Sequence, residues 1–77
     1  MARTILDGEL RRWEAYATTG EYGFPHRARV VFRCLSDPGV RARAVTLDGD
    51  KSDAEELVSG RSDAELSGLL DEARVLG

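Results

Sequence analysis

Cysteine, histidine and lysine each occur once in this chain of 77 residues. The single cysteine, Cys34, rules out an internal disulfide, the staple on which small secreted domains depend. One histidine, His26, supplies no metal-ligand spacing, so no metal is expected. No stretch approaches the ~20 apolar residues that cross a bilayer, which argues against a membrane segment. The first residues lack the apolar core of a signal peptide. The expectation is therefore a cytoplasmic protein. Also missing are a nucleophile elbow, a P-loop, a dinucleotide fingerprint and a His-Glu metal motif. Without them no cofactor is expected, and an enzyme is disfavoured.

What remains is ordinary globular material. Apolar residues make up 42% of the chain and charged residues 32%, which excludes a disordered tail. The length allows one domain, 1–77, that buries roughly 60% of its unfolded surface. At that size self-association, for example as a homodimer, is an available supplement to the core.

The net charge of −3 hides a division. Residues 1–47 hold eight arginines and five acidic residues; residues 48–77 hold three basic and nine acidic ones. A basic sheet carrying acidic helices would give the molecule two electrostatically distinct sides.

Local patterns assign the elements. Asp7-Gly8 between apolar segments predicts a two-residue hairpin joining strands Ala2–Leu6 and Glu9–Thr18. Leu6, Leu10, Trp13 and Ala17 also recur at helical spacing, but Gly8 in the first turn opposes a helix by about 1 kcal/mol. Gly20 to His26 is a loop carrying Tyr22 and Phe24. Ala28–Leu35 alternates as a strand, Ser36-Asp37-Pro38-Gly39 is a turn, and Val40–Leu47 is the returning strand. A three-residue loop at Asp37–Gly39 would set Phe32 opposite Ala44 and Arg33 opposite Arg43. Even-numbered loops would pair core positions with arginines.

Ser-Asp-Ala-Glu occurs twice, at Ser52–Glu55 and Ser62–Glu65. Each copy has the form of a capping box, in which serine and glutamate satisfy each other's backbone N–H groups. The expectation is a helix over Asp53–Ser59, a left-handed stop at Gly60, and a second helix presenting Leu66, Leu69, Leu70, Ala73 and Leu76. The fold class that follows is α+β. An antiparallel sheet of three to four strands occupies residues 1–47, and two C-terminal helices from residues 48–77 pack on one of its faces.

On the expected register Arg29, Arg33, Arg41 and Arg43 share the outer sheet face, with Val31, Leu35, Val45 and Leu47 among them. Like charges directly opposite each other destabilise a strand pair. Something negative must lie between them: Glu9 or Glu14 internally, or an external acidic partner or phosphate backbone. Arginine mixed with large apolar groups is interface composition. Tyr22 and Phe24 extend the candidate partner-binding set, although in a domain this small Phe24 more often folds back to plug the core. Cys34 falls on the core face, where a thiol is inert.

The functional expectation is a non-enzymatic interaction or regulatory module that binds a protein partner, or itself, through the arginine face and aromatic loop. The alternative is a nucleic-acid binder using the same arginines. An isoelectric point of about 5.0 disfavours it. A DNA-reading helix pair is excluded on charge, because its second helix would offer Glu65, Asp71 and Glu72 to phosphates.

Overall fold

The computed structural model describes residues 2–19 and 28–75, so Tyr22, Phe24 and His26 lie outside the described residues. Four strands lead the chain: β1 (Arg3–Leu6), β2 (Arg12–Thr19), β3 (Ala28–Cys34) and β4 (Arg43–Thr46). Two helices follow, α1 (Lys51–Gly60) and α2 (Asp63–Glu72), and then a two-residue strand β5 (Arg74–Val75). All neighbouring strands are antiparallel, in the order β1-β2-β3-β4-β5. The α+β expectation holds, with five strands among the described residues in place of three or four.

Both helices cover one face of the sheet. α1 lies against β2 and β3, and α2 reaches from β1 to β4. Between sheet and helices sit Ile5, Trp13, Ala15, Val30 and Phe32, closed from above by Ala54, Val58, Leu66 and Leu70. Trp13 and Phe32 are fully buried and are the largest contributors; burial of such a ring stabilises the fold by about 1.5–3 kcal/mol.

The opening strands form a hairpin, as Asp7-Gly8 predicts, but the loop is longer. Asp7 N–H donates to the Arg11 carbonyl and Leu10 N–H to the Asp7 carbonyl. Gly8, Glu9 and Leu10 thus make a three-residue loop, and Leu10 takes a left-handed backbone with φ of 64°. Glycine normally fills that position.

The β3–β4 register overturns the sequence expectation. Phe32 lies opposite Arg43, Val31 opposite Ala44 and Val30 opposite Val45. The pairing is shifted by one residue, and every side chain of β4 therefore changes face. Val45 and Leu47 pack against the core, where Ala42 and Ala44 were expected. The physical reason is area: valine and leucine remove far more apolar surface from water than two alanines. The cost is that Arg43 comes inward with them. The segment Val40–Ala42, expected as strand, is loop.

The helix caps divide. α2 is capped as expected, with Ser62 accepting from Glu65 N–H at 3.2 Å and Glu65 reaching back to Ser62 N–H. α1 is not capped by Ser52. Asp50 takes that role, accepting from Asp53 N–H at 3.0 Å while the Asp53 carboxylate accepts from Asp50 N–H. An Asp-x-x-Asp box two residues upstream starts the helix sooner than Ser52 could. Gly60 is the last helical residue and not a left-handed stop; Arg61, in extended conformation, is the C-cap. α2 ends at Glu72, and Arg74–Val75 joins the sheet edge, where the apolar stripe had suggested continued helix.

Candidate functional site

Neither helix covers the second face of the sheet. Strand alternation puts the partners of the core residues on it. The row Thr4–Glu14–Arg33 crosses its middle, followed by Tyr16–Val31–Ala44–Arg74 and then Thr18–Arg29–Thr46. At the other end Leu6 lies opposite Arg12, and Leu35 N–H donates to the Arg12 carbonyl at 2.8 Å. Leu6 and Leu35 are 50% and 46% exposed and flank Arg12. Leu10, at the tip of the adjoining hairpin, is 78% exposed.

Of the arginines singled out in the sequence, Arg29 and Arg33 occupy this face, which is exposed at its Leu6–Arg12–Leu35 end but buried at Val31, 5% exposed. Arg33 is exposed and lies opposite Glu14, with the guanidinium 3.5 Å from the carboxylate. Among the described residues Glu14 thus pairs with Arg33 alone, while Glu9 pairs with Arg11 in the hairpin. Arg29 sits between Thr18 and Thr46, half-buried, and its Nε is buried without a hydrogen-bond partner. Arg41 is exposed in the loop before β4. Cys34 is buried and free.

Arg43 is the correction. It is not a cross-strand neighbour of Arg33 and does not share its face. Its guanidinium lies 5.5 Å from the centroid of the Trp13 ring, and one of its nitrogens donates to the Leu70 carbonyl at 3.3 Å. The indole face is an electron-rich surface on which a cation can rest with little water. The ring and the Leu70 carbonyl offset the burial of Arg43, whose Nε is buried without a hydrogen-bond partner.

A polar cluster at the hairpin base holds the tip in place. The Asp7 carboxylate accepts from Trp13 Nε1 at 2.8 Å, Arg11 Nε at 2.9 Å, Arg11 N–H at 2.9 Å and Glu9 N–H at 2.8 Å. Burial opposes ionisation of Asp7. The indole N–H, the two backbone N–H groups and the Arg11 guanidinium outweigh it and hold the carboxyl well below the usual range. The Asp7 hydrogen bond in turn raises the Arg11 pKa. At the other end of the same edge strand Arg3 ties β1 to the helical layer, donating to the Val58 and Arg61 carbonyls and pairing with Asp63.

Leu35 was expected on the outer face, but Leu6 and Arg12 beside it went unread in the sequence. Leu6 and Leu35 were assigned to separate strands, and only the β2 register places them on either side of Arg12. Period-two alternation carried the signal, but the partner strand was needed to bring the two leucines into one row.

Among the described residues no group of three or more His, Cys, Asp or Glu is placed to hold a metal ion. No described helix is long and apolar enough to cross a membrane. The chain matches no protein-family model, no curated protein and no solved structure.

Proposed function

We propose that the chain is a non-enzymatic interaction module that binds a protein partner through the open face of its sheet. The observation that supports this is the row Leu6–Arg12–Leu35, which sets two exposed leucines around an arginine on a face free of helices. Arginine is enriched at protein interfaces, and the two leucines beside it add exposed apolar area that association would remove from water. Arg33 and Arg29 continue the basic character along β3, and Leu10 stands at the near end on a braced hairpin. Interface energy concentrates in a few residues, arginine prominent among them; Arg12 is assigned that role, with Leu6 and Leu35 supplying apolar area around it.

The test is affinity capture from the native host with the wild-type chain and with Arg33→Glu/Leu35→Glu as paired baits. Loss of specific partners from the variant is the expected result. Recovery of the same partners by both baits removes the open face from consideration. Arg43→Glu is unsuitable as a control, because it would break the contact with Trp13 instead of altering this face. Oligonucleotide binding that falls steeply with salt, and falls again in Arg33→Ala, would reassign the face to nucleic acid.

A further inference from the structure

A second surface lies on the opposite side of the molecule and is independent of the open sheet face. α1 and α2 each pack mainly against strands, and a cleft of about 390 Å³ runs between them. Leu57 and Leu69 line it, with Gly68 in its wall. A further depression continues from it past Glu56 and shares Leu57, Arg61 and Glu65. Leu57 and Leu69 are only half-buried, so each keeps an apolar surface facing the cleft.

Two features indicate what the cleft accepts. The first is charge. Glu65 and Glu72 line it, and Asp48, Asp53 and Glu56 line the adjoining depression, against one cation, Arg61, which already pairs with Glu65 at 3.0 Å. Glu56 and Glu72 have no ion-pair partner among the described residues. The second is Gly68. It lies inside α2, where glycine is the poorest residue after proline. A Cβ built on it would meet nothing within 4 Å. The fold therefore places no steric demand for glycine there. What glycine provides is a flush wall against which another backbone can lie closely.

We infer that this cleft receives an amphipathic helix from a partner protein, with lysine or arginine along its edges and an apolar residue directed at Leu57 and Leu69. Such a helix would lay its apolar face between α1 and α2, pass closely over Gly68, and bring its cations to Glu56 and Glu72.

The test uses a synthetic peptide of lysine and leucine at helical spacing as the probe, with a glutamate-for-lysine version as its counterpart, and follows binding by fluorescence anisotropy. The lysine peptide should bind, the glutamate peptide should not, and binding should weaken as salt is raised. Gly68→Leu changes no charge and should reduce affinity by about tenfold or more by filling the wall. Glu72→Lys should weaken binding as well, whereas Glu55→Lys, outside the cleft, should leave it unchanged. Gly68→Ala should raise the melting midpoint, which shows that the position is free to change without loss of the fold.

Equal binding by wild type and Gly68→Leu would overturn the assignment. So would equal losses in Glu55→Lys and Glu72→Lys, which would mean general attraction to an acidic protein. Concentration-dependent dimers that vanish in Gly68→Leu, without peptide binding, would make a second copy the occupant and refute the partner helix.

Discussion

Arg43 rests over Trp13, its guanidinium 5.5 Å from the ring centroid, on the face of the sheet that carries the helices. Arg43 also donates to the Leu70 carbonyl near the end of α2, so a single side chain links β4, the indole and the helical layer. Removing it in Arg43→Ala should cost about 2 kcal/mol, from the lost ring contact and the lost hydrogen bond together. Arg33→Ala, which removes an exposed pair with Glu14, should change stability by less than about 1 kcal/mol. Urea denaturation of the two variants checks the contrast. Equal effects would contradict the separation of the two arginines onto different faces.

The Asp7 cluster makes stability depend on pH in a defined direction. Its folded-state pKa lies below the ordinary aspartate value of 3.8, so the unfolded chain binds the proton more readily. The stabilisation is complete above that ordinary value and fades as pH falls below it toward the folded-state pKa. Glu65 contributes in the same sense, because hydrogen bonds from Arg61 and Ser62 depress its pKa. Asp7→Asn should lower the denaturation midpoint at neutral pH and flatten its decline on acidification. A variant whose midpoint falls as steeply as wild type would locate the acid sensitivity elsewhere.

Leu10 occupies a left-handed backbone that leucine adopts only at a cost of about 1–2 kcal/mol. Leu10→Gly should relieve that strain and stabilise the fold by about 1 kcal/mol, while removing an exposed apolar group from the hairpin tip. On the proposed function it should also weaken partner capture, so stability and binding move in opposite directions. Thermal melts and the capture assay read the two effects separately.

The caps of the helices separate by mutation. Asp50→Ala should destabilise by about 1 kcal/mol, the usual value of an N-cap side chain. Ser52→Ala, at an exposed position inside α1, should change stability by no more than about 0.5 kcal/mol. Ser62→Ala should behave like Asp50→Ala. Chemical denaturation of the three variants distinguishes the box at Asp50–Asp53 from the one suggested by Ser52–Glu55.

Much of the architecture is written in local patterns. An unbroken apolar set at even positions marks Ala28–Leu35 as a strand, observed as Ala28–Cys34. Asp7-Gly8 announces the first hairpin, and Ser62 with Glu65 starts α2. Each of these rests on interactions within a few residues. Where two local signals compete, the longer range decides. Ser52–Glu55 and Asp50–Asp53 both qualify as capping boxes, and the upstream one lengthens α1 by a turn's edge. The stripe that ran to Leu76 stops at Glu72, because β4 offers an edge on which Arg74 and Val75 form backbone hydrogen bonds.

The candidate face shows the same division. Arg29 and Arg33 are found on it because β3 has one unambiguous apolar side. β4 has none: Ala42 and Ala44 are apolar at even positions, and Val45 and Leu47 at odd ones. The sequence by itself determined a small α+β chain with a basic sheet and acidic helices, because alternation, turn chemistry and caps act over a few residues. Only the tertiary structure decided which side of β4 turns inward. That choice depends on the larger apolar area of Val45 and Leu47 and on an indole, thirty positions earlier in the chain, able to shelter the guanidinium of Arg43.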